Sequence, residues 1–437
     1  MAPLQPTYRT FVAPETLPEK QSYPAPEGIS LIVSPIYTKV VLFTEYDDKR
    51  GSIPINKLEK AIAKALSTFH LYAGRLSPES RGRYTVQDFD KGCLFQVCEL
   101  PDSFEEYKKN RFGYGTVPIA DLMPLHFYTS LDAPVMGVQL TQLQGGQAVG
   151  FSFLHRLSDG LGDTLFIYAV ACALRNEELP IQLYYDWERP PLQPNPKYDH
   201  SIDYPLLDEM PEREMMDMDQ SIKRVFAITE PKAEELRRQM EQEISNKNVK
   251  LSVRDALTAF MYRAIIKARR IKGQCDLVYV VSKRYAHPDK RMMMHFGNYL
   301  AAITIPEKHD ELMRRPISSS AQRIRQQVAN VNHEFMDSLE HYLNNVQDPS
   351  MVYPPVHRMT RGCVLWSDWS RFASAMDFGY GKPCSYCRSW VNPSPMAVVT
   401  MAPTVETTFE LVVQLDPDSM ERLINDKQVQ YYALGAF

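Results

Sequence analysis

The chain has 437 residues, enough for two domains that bury large cores without disulfides or structural metals. Its net charge is −4, so its overall charge offers no attraction for nucleic acid or an anionic membrane surface. No apolar run approaches the roughly 20 residues that span a bilayer, and the N-terminus lacks the apolar core of a secretory signal.

The cysteines are seven in number and widely scattered, which indicates a reducing compartment rather than a disulfide framework. Cys384 and Cys387 form a C-x-x-C pair, but a structural zinc site needs four ligands and the sequence shows no obvious second pair. Pro383, directly before them, does not fit the helix-opening context of a redox motif. We therefore expect a cytoplasmic protein without a metal or redox site.

The first 30 residues carry several prolines and no sustained periodicity, so we expect an extended surface arm. Segments rich in β-branched and aromatic residues predict strands at 31–43, 83–86 and 93–97. A helix is predicted after Pro54, because apolar residues recur there at helical spacing: Leu58, Ile62, Ala65, Leu66 and Phe69. A short charged helix is expected at 104–111.

A β-hairpin is predicted around Gly145-Gly146, with strands at 135–143 and 148–154. The second strand ends directly before His155. A helix is predicted from Gly160 to about residue 176, because apolar residues recur there at helical spacing: Leu161, Leu165, Tyr168 and Cys172. The chain around His155 is therefore expected to form a strand, a tight turn and a helix.

Residues 177–220 are rich in proline and acidic residues and show little periodicity. A segment of this length is too long for an ordinary loop, so it predicts a crossover between two domains. We expect an N-terminal domain at 1–180, a linker at 181–220 and a C-terminal domain at 221–437.

The second half alternates strands and helices. Ser252 and Asp255 form an S-x-x-D capping signature before a strong helix, and a further helix follows Pro231. Strands are predicted at 223–229, 277–281, 299–305, 364–366, 396–401 and 408–415. One long helix is predicted at 320–343, and a last helix begins at 420–424. The pattern predicts a mixed α/β fold in two halves.

His155 is the candidate for chemistry, because it lies at a strand end, four residues before Asp159 and Gly160. A neutral imidazole on such a rigid support suits a general base. Asp159 either orients the ring or fixes the turn by pairing elsewhere. H-x-x-x-D-G alone is short enough to occur by accident.

A second motif, M-D-F-G-Y-G-K-P at 376–383, has two glycines around an aromatic and predicts a tight, defined loop. Together, H-x-x-x-D-G and D-F-G-x-G resemble the BAHD acyltransferases, CoA-dependent enzymes of secondary metabolism. The similarity covers nearly the whole chain, and its further segments are L-Y-A-G-R-L at 71–76, the Ser252 helix, V-S-K-R at 281–284, F-G-N at 296–298 and W-S-D-W at 366–369.

Two positions depart from the family pattern. Tyr380 replaces the usual tryptophan of the D-F-G-W-G loop, and the N-terminal S-P-x-D-like segment is only partly kept at 34–37. With these departures the chain is more similar to fungal acetyltransferases that modify sesquiterpenoid toxins than to the plant phenylpropanoid branch.

The resemblance implies two chloramphenicol acetyltransferase-like domains with a channel between them and His155 at its midpoint. His155 would deprotonate an acceptor that attacks the thioester of acyl-CoA, with acetyl-CoA as the expected donor. Trp369, with Ser367 nearby, is a candidate donor to the oxyanion, although Trp369 equally suits core packing. Asp159 would pair with Arg284 away from the cleft, and the D-F-G-Y-G loop with Asp377 would likewise be structural.

For the phosphates of CoA, the N-terminus of the Ser252 helix offers N–H groups and a favourable dipole. Lys247, Lys250 and Arg254 surround it, although each also suits a solvated helix start. We expect no permanently bound cofactor, a small-molecule alcohol as acceptor, and a monomer. An amine acceptor and a carrier-protein-bound acyl donor are the alternatives; the latter is typical of condensation domains, which carry a second histidine where this chain has Leu154. A non-catalytic binding protein on the same scaffold is a further alternative.

Overall fold

The computed structural model describes residues 4–46, 49, 51–211, 221–245, 249–357, 360, 362–370, 376–381, 383–388, 397–402 and 408–437, with 383–388 and 402 described by their backbone. The described chain forms two large β-sheets, a small three-stranded sheet and helices that pack on the large sheets. The predicted mixed α/β fold in two halves is confirmed. Within the described residues, none of the helices has both the length and the apolar character needed to cross a bilayer.

The strands, in chain order, are β1 (Tyr8–Val12), β2 (Ser22–Pro24), β3 (Tyr37–Glu45), β4 (Arg75–Pro78), β5 (Tyr84–Gln87), β6 (Cys93–Ser103), β7 (Met136–Gln144), β8 (Gly146–Leu154), β9 (Ile222–Thr229), β10 (Leu277–Val281), β11 (Ala301–Ile305), β12 (Val364–Asp368), β13 (Pro383–Arg388), β14 (Ala397–Ala402), β15 (Thr408–Leu415) and β16 (Ala433–Ala436). The helices are α1 (Ile55–Thr68), α2 (Phe104–Lys109), α3 (Gly160–Leu174), α4 (Glu230–Glu243), α5 (Val253–Arg269), α6 (His309–Arg314), α7 (Ile317–Asn330), α8 (His333–Asn345), α9 (Pro417–Ile424) and α10 (Lys427–Tyr432).

The first sheet has the order β1-β6-β7-β8-β3-β13. β7 and β8 form the predicted hairpin, and every residue of β8 is buried. The apolar stripe of α1 and nearly all of α3 pack against one face of this sheet, because both helices present large aliphatic and aromatic side chains to it. The burial of α3 places the start of that helix, and the turn before it, on a rigid support.

The second sheet has the order β11-β10-β12-β14-β15-β9-β16. β10, β12 and β14 are parallel, so their carboxyl ends meet at one edge of the sheet. β11 is antiparallel to β10, and its first residues therefore lie at the same edge. α4, α5 and α7 contribute to the apolar core on one face.

One strand of the second half belongs to the first sheet. β13 pairs antiparallel with β3, although about 340 residues separate them in the sequence. The boundaries at 180 and 220 stay predictions. Between 181 and 211 the described crossover contains one single-turn 3-10 helix, Asp186–Glu188, and no helix or strand of greater length.

Three local predictions need correction. The N-terminal arm is not merely extended, because β1 adds to the edge of β6 and β2 pairs with β5. The strand predicted at 31–43 begins only at Tyr37, and a 3-10 helix occupies Gly28–Leu31. The long helix predicted at 320–343 is two helices, because Asn332 is the N-cap of α8 and accepts from the Phe335 N–H at 2.8 Å.

Candidate active site

His155 is the first residue after β8, and both halves of the chain hold its backbone. Its N–H donates to the carbonyl of Ile36 at 2.9 Å. Its carbonyl accepts from Asn298 Nδ2 at 2.7 Å, and Asn298 lies three residues before Ala301, the first residue of the second-sheet strand β11. The half-buried side chain of His155 therefore starts from a fixed point where the two halves meet.

The ring of His155 has a defined orientation. Nδ1 lies 3.1 Å from the carbonyl oxygen of Ser158. A carbonyl only accepts, so Nδ1 carries the proton in the neutral ring and Nε2 carries the lone pair. This tautomer is the one that a general base acting through Nε2 requires.

Asp159 caps α3 and is almost completely buried, with 3% of its surface exposed. Its Oδ1 accepts from the Leu161 N–H at 3.1 Å. Its Oδ2 accepts from the guanidinium of Arg284, which is itself 1% exposed, and from the Tyr299 N–H at 3.0 Å. Burial alone raises the pKa of the Asp159 carboxyl, but the charge and hydrogen bond of Arg284 and the bond from Tyr299 outweigh it and hold that pKa below its usual value. The carboxylate therefore fixes the turn through Leu161, Arg284 and Tyr299, while His155 Nδ1 pairs with the carbonyl of Ser158.

The ion pair belongs to a longer buried network that the sequence did not reveal. Arg284 also donates to the carbonyl of Gly297 at 2.8 Å and lies 3.3 Å from His295 Nδ1. His295 Nε2 lies 2.6 Å from the carboxylate of Asp186, which belongs to the crossover. Burial lowers the pKa of His295, although Asp186 opposes this. Sequence patterns gave no signal for Asp186, because it lies in a segment without periodicity.

A second buried carboxylate holds the first turn of α3 in place. Asp163 is fully buried and accepts from Thr38 Oγ1 at 2.7 Å and from the Tyr72 hydroxyl at 2.9 Å. Gly162 is needed beside it, since a Cβ at this position would lie 2.0 Å from Ser158 Oγ. The second glycine of H-x-x-x-D-G-x-G therefore permits a close approach between the helix and the turn that orients His155.

Trp369 and Ser367 lie at the carboxyl end of β12. The indole N–H of Trp369 donates to Ser367 Oγ at 2.5 Å, and the Trp369 backbone N–H donates to the carbonyl of Met401 at 2.9 Å. This edge also carries Asn298 and Tyr299, which hold the His155 turn. Ser367 is two strand spacings, or about 10 Å, from the first residues of β11.

The residues predicted to bind CoA lie beside the same edge. Ser252 is the N-cap of α5 in a capping box, with its Oγ accepting from the Asp255 N–H at 3.1 Å and its N–H donating to Asp255 Oδ2 at 2.7 Å. Arg254 Nε lies 3.0 Å from Asp368 and 2.9 Å from Ser370 Oγ, which places the guanidinium next to the segment that carries Trp369.

Lys250 is exposed, and Lys247 lies outside the described residues. The structure thus brings Ser252, Arg254 and Trp369 into one region, while the binding of CoA there stays a prediction.

The D-F-G-Y-G loop lies at the other end of α3. Arg175, the C-cap of that helix, donates to the carbonyl of Asp377, and Asp377 Oδ1 accepts from the Gly379 N–H at 2.7 Å. Gly379 and Gly381 have φ values of +79° and +101°, as the predicted tight loop requires. Because α3 has 15 residues, its two ends are about 22 Å apart. These contacts support a structural role for the loop.

The side chains of Cys384 and Cys387 lie outside the described part of the chain. Among the residues that are described, no group of three or more histidine, cysteine, aspartate or glutamate side chains is placed to hold a metal ion.

Two α/β halves together fix a histidine beside a buried Asp–Arg pair, which is the arrangement expected of a CoA-dependent acyltransferase. The chain belongs to the Transferase family, the BAHD acyltransferases, whose family model matches residues 29–429. Coenzyme A thioesters are the co-substrates of these enzymes, which need no permanently bound cofactor. The resemblance inferred from the two motifs is confirmed.

Known proteins of the family are distant in sequence and close in fold. Anthranilate N-benzoyltransferase protein 1 of Dianthus caryophyllus is 24% identical over 75% of each chain. Shikimate O-hydroxycinnamoyltransferase of Nicotiana tabacum is 21% identical over 90% of this chain and 92% of its own. The structure of F. graminearum TRI101 with coenzyme A and T-2 mycotoxin superposes with a TM-score of 0.81 at 18% identity, over 94% of this chain and 99% of that one. This last similarity concerns the fold.

Proposed function

We propose that the enzyme transfers an acyl group, with acetyl as the expected one, from acyl-CoA to a hydroxyl of a small secondary metabolite. The observation that carries the proposal is the orientation of His155: Ser158 fixes its tautomer, while Ile36 and Asn298 fix its backbone. An imidazole held in this way is ready to accept a proton at Nε2 without first reorganising.

In the proposed reaction, Nε2 of His155 removes the proton of the acceptor hydroxyl as its oxygen attacks the thioester carbonyl. The tetrahedral intermediate collapses by breaking the carbon–sulfur bond. The thiolate of CoA leaves and takes the proton from the His155 imidazolium, so the ring returns to its neutral form. No charge or electron remains on the protein at the end of the cycle.

The oxyanion of the intermediate needs a fixed donor. In the structure the indole N–H of Trp369 donates to Ser367 Oγ, so this N–H is already used. The hydroxyl hydrogen of Ser367 can then donate to the oxyanion. We therefore assign the direct contact to Ser367 and the orientation of its hydroxyl to Trp369. Ser367→Ala should lower kcat more than it changes the KM for acyl-CoA.

The test of the proposed base is His155→Ala, assayed as thiol release from acetyl-CoA with a mixed pool of alcohols and amines. We expect kcat to fall by about 10²–10⁴-fold, the usual contribution of a positioned base. His309→Ala is the matched control, because His309 pairs with Asp310 on α6 and takes no part in the site. Near-normal turnover in His155→Ala, with an unchanged melting temperature, would refute the mechanism.

An amine acceptor is the second candidate, and the names of the relatives include both N- and O-acyltransferases. The same base serves both, so separate assays with alcohols and with amines decide between them. A carrier-protein-bound donor is the third candidate, which Leu154 in place of a second histidine disfavours. A phosphopantetheinylated acyl carrier offered in place of acetyl-CoA tests it directly.

For CoA we propose binding beside Ser252, Lys250 and Arg254. Lys250→Glu should raise the KM for acetyl-CoA, with Lys272→Glu as the control on a distant loop. Arg254 is less suitable for charge reversal, because the change also breaks its ion pair with Asp368.

We also propose that the enzyme is monomeric, cytoplasmic and divided at 180 and 220. Light scattering tests the monomer, fractionation of the cells that produce the enzyme tests the location, and limited proteolysis tests the two boundaries.

A further inference from the structure

The two large sheets carry a second, less apolar face that does not belong to their main cores. In β3, Val40 and Leu42 pack with α1 and α3, whereas Val41 and Phe43 pack in a separate cluster on the opposite face. Side chains alternate along a strand, so Lys39 lies on the face of Val41. Lys39 therefore extends from the first sheet away from the core of its own half.

The second sheet turns the corresponding face toward the first half. Val225 of β9 and Val412 pack together with Tyr114 and Phe437, and Tyr114 belongs to the first half of the chain. By the same alternation Lys223 lies on the face of Val225, and its Nζ is 5.4 Å from the centre of the Tyr114 ring. One lysine from each sheet thus faces the junction between the halves.

The ammonium group of Lys39 acts on that of Lys223. Burial and, second, the charge of Lys39 together lower the pKa of Lys223 to about 7. Burial lowers the pKa of Lys39 to about 8. The pKa of nearby His126 is also lowered, first by burial and then by Lys39. The junction therefore gathers basic groups that water only partly solvates, and such a place favours an anion.

Lys39 has no carboxylate within ion-pair distance among the described residues. Its Nζ lies 5.9 Å from the centre of the aromatic ring of Phe127. Phe127 is 68% exposed, which is unusual for a phenyl side chain. A cation beside an exposed ring suits a ligand with one acidic end and an apolar or aromatic body.

The position relative to His155 fits a small ligand. Ile36, whose carbonyl accepts from the His155 N–H, lies directly before β3 and precedes Lys39 by three residues, or about 10 Å of extended chain. Across the second sheet, Lys223 is paired in register with Gln414 of β15, and through β14 this position corresponds to Leu365 of β12. Leu365 lies three residues before Asp368, which is next to the predicted CoA site. The lysines are thus placed for the acceptor rather than for CoA.

We infer that Lys39 and Lys223 form a subsite for the carboxylate of an acidic acceptor, with the rings of Phe127 and Tyr114 beside its apolar body. This inference rests on the proposed function, since it names the substrate class of that reaction. The acceptor would be a small hydroxy- or aminocarboxylate whose nucleophile reaches His155 while its carboxylate lies between the lysines.

The test measures binding without turnover, by calorimetry, for wild type, Lys39→Met, Lys223→Met and the double variant. The probes are 3-hydroxybenzoate, 4-hydroxybenzoate and 2-aminobenzoate, each beside its methyl ester, and CoA beside 3′-dephospho-CoA. We expect at least one acid to bind wild type about tenfold or more tightly than its ester, as a charged hydrogen bond allows. The double variant should lose this preference and keep its affinity for the ester.

Lys60→Met/Lys64→Met removes two charges from the exposed side of α1 and serves as the matched control. The inference is overturned if the acids bind no better than their esters, or if the preference survives in the double variant. A loss of affinity for CoA but not for 3′-dephospho-CoA would assign the lysines to the cofactor phosphate and overturn it as well.

His155→Ala should keep the preference for the acid, because binding does not need the base. A failure of acyl transfer and a failure of the lysine subsite are therefore observed separately.

Discussion

Asp159→Asn tests how the structure holds His155. The substitution keeps the size of the side chain and its bond to the Leu161 N–H, but it removes the negative charge. Arg284 then stays buried at 1% exposure without its carboxylate, and the new amide group places a donor opposite the guanidinium. The remaining hydrogen-bond partners of Arg284 are the carbonyl of Gly297 and Nδ1 of His295. The carbonyl carries no net charge, and neither does the imidazole of His295 in its neutral form.

The expected cost follows from the burial of both partners. Breaking a buried ion pair from one side typically destabilises a protein by about 3–5 kcal/mol, because an uncompensated charge remains inside. We expect the lower end, about 3 kcal/mol, because Gly297 and His295 still solvate part of the guanidinium. That is a large fraction of the ~5–15 kcal/mol by which native proteins are stable.

The assay measures thermal unfolding and thiol release from acetyl-CoA for four proteins: wild type, Asp159→Asn, Arg284→Met and the double variant. The double variant should be more stable than the sum of the single losses, because it leaves no unpaired charge. Asp289→Asn is the matched control, since Asp289 also caps a helical turn and pairs with an arginine, Arg291, but at the surface. It should cost 1 kcal/mol or less.

The pH dependence gives a second readout. The pKa of Asp159 is held below its unfolded value of about 3.9, so its stabilisation is present above that pH and is lost as the pH falls through the folded pKa. The difference between wild type and variant should be constant above about pH 5 and should shrink below pH 4. A variant with wild-type melting temperature and no activity would show that Asp159 acts in the chemistry, contrary to this reasoning.

Three further changes have definite outcomes. Gly162→Ala should abolish most activity by pushing Ser158 away from His155, and Gly162→Ala/Ser158→Ala should recover part of it in the thiol-release assay, because the clash is with Ser158 Oγ. Burial raises the pKa of Glu340 to about 7, above its unfolded value of about 4.3, so wild type should lose stability between about pH 4.5 and 7. The melting temperature of Glu340→Gln should change less with pH over that window than the melting temperature of wild type. Asn332→Ala should lower stability by about 1 kcal/mol through loss of the α8 cap, and an unchanged melting temperature would contradict that role.

Several features of the fold were readable because their signals are local. The β7–β8 hairpin follows from two apolar runs around Gly145-Gly146, and the capping box of Ser252 and Asp255 marks the start of α5. Short-range signals also misled where two of them competed. The apolar residues of 320–343 continue at helical spacing through the break, and only the cap at Asn332 separates α7 from α8.

The order of H-x-x-x-D-G and D-F-G-x-G along the chain, with the segments between them, was by itself sufficient to indicate the family, and through it the pairing of Asp159 with Arg284. Tertiary structure alone decided that Asn298 holds the carbonyl of His155, that Asp186 of the crossover joins the buried network, and that Lys39 and Lys223 face one junction. These contacts join residues more than 100 positions apart. Periodicity and caps report only on neighbours within a few residues, whereas such contacts depend on how whole sheets pack together.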